Sequence, residues 1–383
     1  MNFFHLSDLH IGLKLMNRDL REDQEYVLRQ VVDAAVLEKP DAIVVAGDIY
    51  DRANPSGEAV EVFDRFVTAL SEAVPEAEIM MISGNHDSPQ RVNVFRAVLG
   101  RQRIRMIGLP PQTPEEYIEK VTLRDEYGVV NFYLLPFVKP SMVQAITGAA
   151  EDGRAFSYDE ALRRLMDREN IDEAERNVLV SHQFYLPKGK NADEVERMDS
   201  EIRTVGNIDE VGADILERFD YAALGHIHKP MRIGGECRRY SGTPLACSVS
   251  EAGQEKSILS VELGEKGRVS VTELPLAPLR AIRVVRGTLA EALAQGCGDY
   301  VSVRLTDTVD IDTIDMQERL RAAYPNLLEI RREAARQVEE NAREEISVKN
   351  LDPFTLCREF LGDMTDGEQE LLRDVVNKVQ EVR

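Results

Sequence analysis

The sequence has no tryptophan, six histidines, four cysteines and no long uninterrupted apolar run. Each shortage excludes something. Without an apolar stretch of about 20 residues, no bilayer span is expected. Met1 leads straight into Phe3-Phe4-His5-Leu6 instead of a signal-type leader, so a cytoplasmic protein is the expectation. Cys237, Cys247, Cys297 and Cys357 form no CxxC pair and lie far apart. That argues against a thiolate zinc cage and a disulfide framework, and leaves small apolar residues in a reducing compartment. Positive charge is short as well: 47 Lys and Arg against 68 Asp and Glu give a net charge of −21. A chain of that sign does not wrap nucleic acid by bulk electrostatics. It can still cut nucleic acid, because bound divalent cations can be the largest positive charges in a site and a partner subunit can carry the backbone-binding surface.

What is present is ordinary for a globular protein: 43% hydrophobic and 30% charged residues. At 383 residues the chain exceeds one core and suggests two or three domains. Short apolar runs at Phe3–Leu6, Ala42–Ala46, Ile79–Ile82, Val178–Val180 and Tyr221–Leu224 read as buried strands, each leading into a polar motif. Asp19–Leu37 has amphipathic helical character, and Ala59, Val62, Phe63, Phe66, Val67 and Leu70 keep the spacing of a helix with one buried face. Strands alternating with such helices indicate an α/β layered domain, with ligands gathered at the carboxyl ends of the strands.

Arg238 to Leu263 reads as further strand and turn, and the prolines of Leu274-Pro275-Leu276-Ala277-Pro278 suggest a boundary. A small α/β unit follows: strand Ala281–Val285, helix Leu289–Ala294, strand Tyr300–Leu305, helix Ile314–Ala323 and strand Leu327–Ile330. Arg331–Arg343 is charged enough for a solvated linker or exposed helix. A helical pair ends the chain. Asp352 before Pro353 has helix-start chemistry, and Thr365-Asp366-Gly367-Glu368 fits a capping box. Two short amphipathic helices bury little on each other, so they fold back or dock. The expected division is 1–275, 276–345 and 346–383.

Five of the six histidines fall in the segments that close the strands: Asp8-Leu9-His10, Gly47-Asp48, Gly84-Asn85-His86-Asp87, Ser181-His182 and Gly225-His226-Ile227-His228. Singly these are weak. Gly-Asp is commonly turn chemistry, and Asn in Gly-Asn-His-Asp tolerates positive φ. In an extended chain, residues two apart face the same way, so Asp8 and His10 can point at one ion, as can one or both of His226 and His228. Carboxylate, imidazole and amide oxygen suit Mn²⁺, Fe²⁺ or Zn²⁺. Seven ligands are too many for one open catalytic ion and about right for two, a spacing that clamps both oxygens of a phosphoryl displacement.

This series resembles the calcineurin-like metallophosphoesterases, whose pattern is D-x-H, GD, GNH[DE], H and GHxH. The nearer resemblance is to the SbcD-type nuclease subunits of bacteria, relatives of the Mre nuclease. It rests on His5-Leu6-Ser7-Asp8-Leu9-His10-Ile11-Gly12, Gly47-Asp48-Ile49-Tyr50-Asp51-Arg52, and the run from Phe219 through Gly225-His226-Ile227-His228-Lys229-Pro230. Tyr240-Ser241-Gly242-Thr243-Pro244 and Ser250-Glu251-Ala252-Gly253 add to it.

The resemblance implies a two-sheet sandwich flanked by helices, a small α/β capping domain and a C-terminal helical pair. It implies Asp8, His10 and His228 on one metal, Asn85, His182 and His226 on the other, and Asp48 bridging both. Both ions are expected to be manganese, with an acidified water attacking phosphorus. His86 is implied as the catalytic histidine. Asp51 and Asp87 read as groups orienting imidazoles or amides, or as local caps, and His5 as a packed histidine outside the site. Arg52, Arg91, Lys188 and Lys190 are candidates for phosphate contact. The function so implied is a metal-dependent DNA exonuclease and endonuclease that processes DNA ends and hairpins. Its partner would be an SbcC-type coiled-coil ATPase, which the tail helices would bind, and the nuclease would dimerise within a heterotetramer. The competing expectation is a two-metal enzyme for a phosphomonoester or cyclic nucleotide, and a non-catalytic module is disfavoured because no ligand position is missing.

Overall fold

The computed structural model describes residues 1–94, 96–148, 154–187, 198, 200–201, 209–307, 313–333, 353–362 and 364–381. Two six-stranded sheets make the body. The first runs, edge to edge, Val269–Leu276, Lys256–Leu263, Asn2–Leu6, Ala42–Ala46, Glu78–Ile82, Ile104–Ile107. From Asn2–Leu6 to Ile104–Ile107 the strands are parallel, and the Lys256–Leu263 hairpin joins antiparallel. The second runs Met231–Arg232, Arg238–Tyr240, Tyr221–Gly225, Arg176–His182, Gly128–Leu135, Glu119–Asp125.

Why these short runs become strands buried on both faces follows from their alternation. Phe3, Val44, Met80, Ile82, Val178, Val180, Tyr221 and Ala223 meet between the sheets. Their neighbours Phe4, Leu6, Ile43, Val45, Ile79 and Met81 point outward against helices Arg21–Glu38 and Gly57–Ala73. Leu179, Ala222 and Leu224 do the same on the other side, against Leu162, Leu165 and Met166 of helix Tyr158–Asp167. A strand with two apolar faces needs a layer on each. The result is a helix–sheet–sheet–helix sandwich, the layered α/β class expected.

Several elements lay outside the sequence expectations. The strands Glu119–Asp125 and Gly128–Leu135 and the helix Tyr158–Asp167 complete the second sheet and its cover. Pro275 itself lies inside Val269–Leu276, an edge strand that ends within the Leu274–Pro278 stretch; an edge is where a strand tolerates a residue without an amide proton. The small unit after Leu276 has the expected elements: a parallel sheet of Ile282–Gly287, Tyr300–Leu305 and Leu327–Arg332, with helices Leu289–Leu293 and Thr313–Ala323. It docks on the body through Ile282 and Tyr300 against Leu15 and Leu20. Arg280 Nε and the Tyr300 hydroxyl both donate to buried Asp23, each at 2.9 Å.

The tail helices are Pro353–Leu361 and Asp366–Glu381. Phe354, Leu372 and Val376 pack together, while Phe360 is 90% exposed. Glu368 accepts from the Thr365 amide at 2.8 Å and donates its own amide to the Thr365 hydroxyl at 3.4 Å, the capping box read from sequence. Asp352 and all of the linker from residue 334 to 343 lie outside the described residues. Among the described residues, no helix is long and apolar enough to cross a membrane.

The sixth histidine sits between the sheets. His5 is fully buried, with Nδ1 3.0 Å from the Tyr221 hydroxyl and Nε2 3.2 Å from the Leu224 carbonyl. Nε2–H donates to the carbonyl, so Nδ1 accepts from tyrosine. Burial drives its pKa down to about 3. Below the ordinary histidine pKa the unfolded chain takes up a proton that the folded chain refuses, so stability falls with pH. Between pH 7 and pH 5, urea titrations should show the parent losing roughly 2 kcal/mol more than His5→Gln. Equal losses would contradict the buried neutral histidine.

Candidate metal centre

All five motifs stand at the carboxyl ends of the strands Asn2–Leu6, Ala42–Ala46, Glu78–Ile82, Arg176–His182 and Tyr221–Gly225. Three come from one sheet and two from the other, so the site is the mouth of the sandwich. Three glycines let the mouth close. A Cβ on Gly225 would lie 2.0 Å from the Ala46 carbonyl oxygen, one on Gly84 2.1 Å from Asp48 Oδ1, and one on Gly47 2.3 Å from His182 Nδ1. No side chain fits at those separations.

The turns themselves are unusual. Asp8, His10, Asp48 and His226 have φ of 54°, 42°, 49° and 104°. Left-handed backbone costs a non-glycine residue about 1–3 kcal/mol, a strain found where function over-determines conformation. Here the bonds that hold it are visible. The amides of Asp8 and His10 donate to the carbonyls of Gly47 and Asp48, both at 3.0 Å. Gln24 Nε2 donates to the His10 carbonyl at 2.7 Å, and the His226 amide donates to Asp8 Oδ1 at 3.1 Å. The convergence of Asp8 with His10 therefore arises from a left-handed turn, not from the alternation of an extended chain that the sequence suggested.

The side chains form two adjoining clusters. In one, ligand atoms of Asp8, His10 and His228 lie within 4.8 Å of one another, and His10 Nε2 is 3.1 Å from His228 Nε2. In the other, Asn85 Oδ1 is 3.0 Å from His182 Nε2 and 2.9 Å from His226 Nδ1. Asp48 Oδ2 lies between them, 3.2 Å from His182 Nε2 and 3.8 Å from His10 Nε2. All are nearly fully buried except Asn85, which with His86 is half-buried and opens to solvent. Phe137 stacks on the His226 ring at 6.4 Å and closes one wall.

The donor chemistry fits divalent cations. His182 Nδ1–H donates to the Ala46 carbonyl at 2.7 Å, which turns the Nε2 lone pair inward. That lone pair, a carboxylate oxygen and an amide oxygen then converge, an arrangement favourable only around positive charge. The electrostatics agree. Burial alone would lower the His182 pKa, yet the Asp48 carboxylate raises it to about 9. Burial would raise Asp48, yet the charges of His182 and His86 hold it well below the carboxylate range. His10 is depressed by burial and by His228 and His86, so it stays a neutral donor. Its Nδ1 is buried without a hydrogen-bond partner among the described residues. A third cluster, His228, Cys247 and Glu251, is no cage. Burial and Glu251 push the Cys247 thiol well up, and Lys256 already occupies Glu251.

His86 Nδ1 lies 3.0 Å from the Asp51 carbonyl, and its ring stands edge-on to His10 at 4.8 Å. Its amide donates to Asp48 Oδ1 at 2.8 Å. Asp87 is a cap and touches no imidazole: it accepts from the amides of Ile49, Tyr50 and Gly84 at 2.9–3.0 Å. Asp51 Oδ1 approaches His10 Nδ1 at 3.9 Å and also pairs with Arg52, so Arg52 is engaged. Arg91 is exposed, and Lys188 and Lys190 lie outside the described residues. Sequence reasoning gave no role to Ser200, Ser241, Glu251 and Lys256, which surround the motifs. Ser241 and Glu251 lay in runs that carried the resemblance, while Ser200 and Lys256 were polar residues in stretches without periodicity.

The chain is similar to known proteins in both of its parts. Residues 1–230 match the calcineurin-like phosphoesterase family, and 278–365 match a family described as the type 5 capsule protein repressor C-terminal domain. The D subunit of the SbcCD nuclease of Staphylococcus epidermidis is 30% identical over 373 residues, 96% of this chain and 94% of that protein. Two solved structures are looser likenesses, each at 14% identity and TM-score 0.39. TT1561 of Thermus thermophilus covers 71% of this chain and 98% of its own, and a dimetal phosphatase from Danio rerio covers 72% and 99%.

Gly84→Ala tests the closeness of the mouth, since its Cβ would displace Asp48. Overpacking of this kind costs about 1–3 kcal/mol. The variant should fold yet bind Mn²⁺ at least tenfold more weakly by calorimetry. Uptake equal to the parent would contradict a role for that fit.

Proposed function

The chain belongs to the calcineurin-like phosphoesterases, and within them to the SbcD-type nuclease subunits, and from that membership we propose how it works as a metal-dependent DNA nuclease. The observation that carries the reading is Asp48 Oδ2 set between His10 Nε2 and His182 Nε2. Asp8, His10 and His228 would hold one divalent cation, Asn85, His182 and His226 the other, and Asp48 both. Manganese suits the nitrogen and oxygen donors. Bound there, two cations supply Lewis-acid stabilisation of the phosphoryl oxygens and acidify the attacking water.

The chain's own residues do the rest. His86 stands at the open side with Nδ1–H committed to the Asp51 carbonyl, so Nε2 is the atom that holds or returns a proton to the departing oxygen. Its amide also anchors Asp48. Burial of the histidines and aspartates keeps their hydrogen bonds strong and excludes bulk water from all but one face.

The remaining parts take their roles around this centre. Residues 1–275 form the nuclease domain, 276–345 the capping domain and linker that position DNA, and 346–383 the docking element for an SbcC-type coiled-coil ATPase. Support for the last comes from Phe360, Leu361, Leu371 and Val375, all at least 50% exposed on the tail helices. Two nuclease chains would pair within a heterotetramer in the cytoplasm.

The substrate test offers purified chain with Mn²⁺ a single-stranded DNA, a linear duplex and a nitrophenyl phosphate. Cleavage of DNA is expected to exceed ester hydrolysis, and the reverse order would contradict the nuclease. His86→Gln should keep metal uptake and lower cleavage by about 10²–10⁴-fold; a variant as fast as the parent would remove its catalytic role. Deleting residues 350–383 should abolish co-purification with the ATPase subunit while Mn²⁺-dependent cleavage of single strands persists. Retained co-purification would place the docking surface elsewhere.

A further inference from the structure

Behind His228 lies a buried charged network that the proposed reaction does not use. Glu251 is 1% and Lys256 6% exposed. Lys256 Nζ donates to Glu251 Oε2 at 2.7 Å, Thr243 Oγ1 at 2.8 Å, Gln254 Oε1 at 3.0 Å and the His228 carbonyl at 3.3 Å. Glu251 also accepts from the Cys247 amide at 3.1 Å and the Ser248 hydroxyl at 3.0 Å. The Thr243 hydroxyl is directed at it as well, at 3.1 Å. With an ammonium, an amide and two hydroxyls aimed at its oxygens, Glu251 is placed as an acceptor.

Ser200 joins this carboxylate to the metal centre. Its hydroxyl lies 3.0 Å from Glu251 Oε1 and 2.7 Å from His228 Nδ1. It has one proton, and a carboxylate can only accept. That proton goes to Glu251, so the Ser200 oxygen must accept from His228 Nδ1–H. The imidazole lone pair is then on Nε2, which faces His10 Nε2 at 3.1 Å. A lysine–glutamate staple for the turn between Thr243 and Lys256 would need no hydroxyl between carboxylate and imidazole. Ser200 reaches in from a segment 51 residues before Glu251.

We propose that Glu251, acting through Ser200, is the positioning residue that fixes the tautomer and ring of His228 for a divalent cation, with Lys256 holding Glu251 in place. This rests on the ligand reading above. Imidazole ligands whose outer nitrogen loses its partner lose metal affinity by about 10- to 100-fold.

The test is Mn²⁺ titration calorimetry on the full chain, with metal-free melting curves as a check on folding. The parent should bind two ions. Ser200→Ala should weaken one of them about 10- to 100-fold and leave the other unchanged, and Ser200→Thr should restore it. Glu251→Gln should match Ser200→Ala. If the uncompensated Lys256 unfolds that variant, the two serine variants decide alone. A parent that binds two ions, with Ser200→Ala binding both as tightly, overturns this inference alone. A parent that binds fewer than two overturns the ligand reading and this inference with it.

Discussion

The site depends on how closely two sheets approach at one end. Gly225 meets the Ala46 carbonyl and Gly47 meets His182 across the mouth, while Gly84 meets Asp48 within the first sheet, all at separations that exclude any Cβ. Everything else follows from that. His182 can donate to a carbonyl of the opposite sheet, Asp48 can reach imidazoles from both, and four strained turns are tolerated because backbone bonds from neighbouring motifs hold them. A looser sandwich would carry the same residues a few ångströms apart, and the donors would not converge.

The same turn ties the site to the small domain. Gln24 holds the His10 carbonyl and accepts from the Gly12 amide at 3.0 Å, while the adjacent Asp23 receives Arg280 and Tyr300. Two consecutive residues of one helix thus grip the first motif and the small domain. Between them runs the Leu13–Leu20 segment, whose Leu15 and Leu20 fill the contact between the two bodies.

Much of this was legible in the sequence, for physical reasons. Ala42–Ala46 and Tyr300–Leu305 were read to the residue because short β-branched runs between turn signals have one reading. The five motifs stood out because histidine is scarce and sits at strand ends. The second sheet's outer strands were not legible: Glu119–Asp125 exposes alternate residues and lacks an apolar run. Nor were the left-handed turns, because Asp and His give no sign of φ. Asp87 carried two readings, a partner for a ring or amide and a local cap, and the three amides of a tight turn select the cap. Ser200 and Glu251 act through contacts between distant segments, which one sequence does not display.

The account's central claim is a pair of cations sharing Asp48. Anomalous diffraction from crystals of the full chain grown with Mn²⁺ tests it most directly. Two peaks about 3.5–4 Å apart on either side of the Asp48 carboxylate are expected. A single peak, or none beside Asp48, would contradict it.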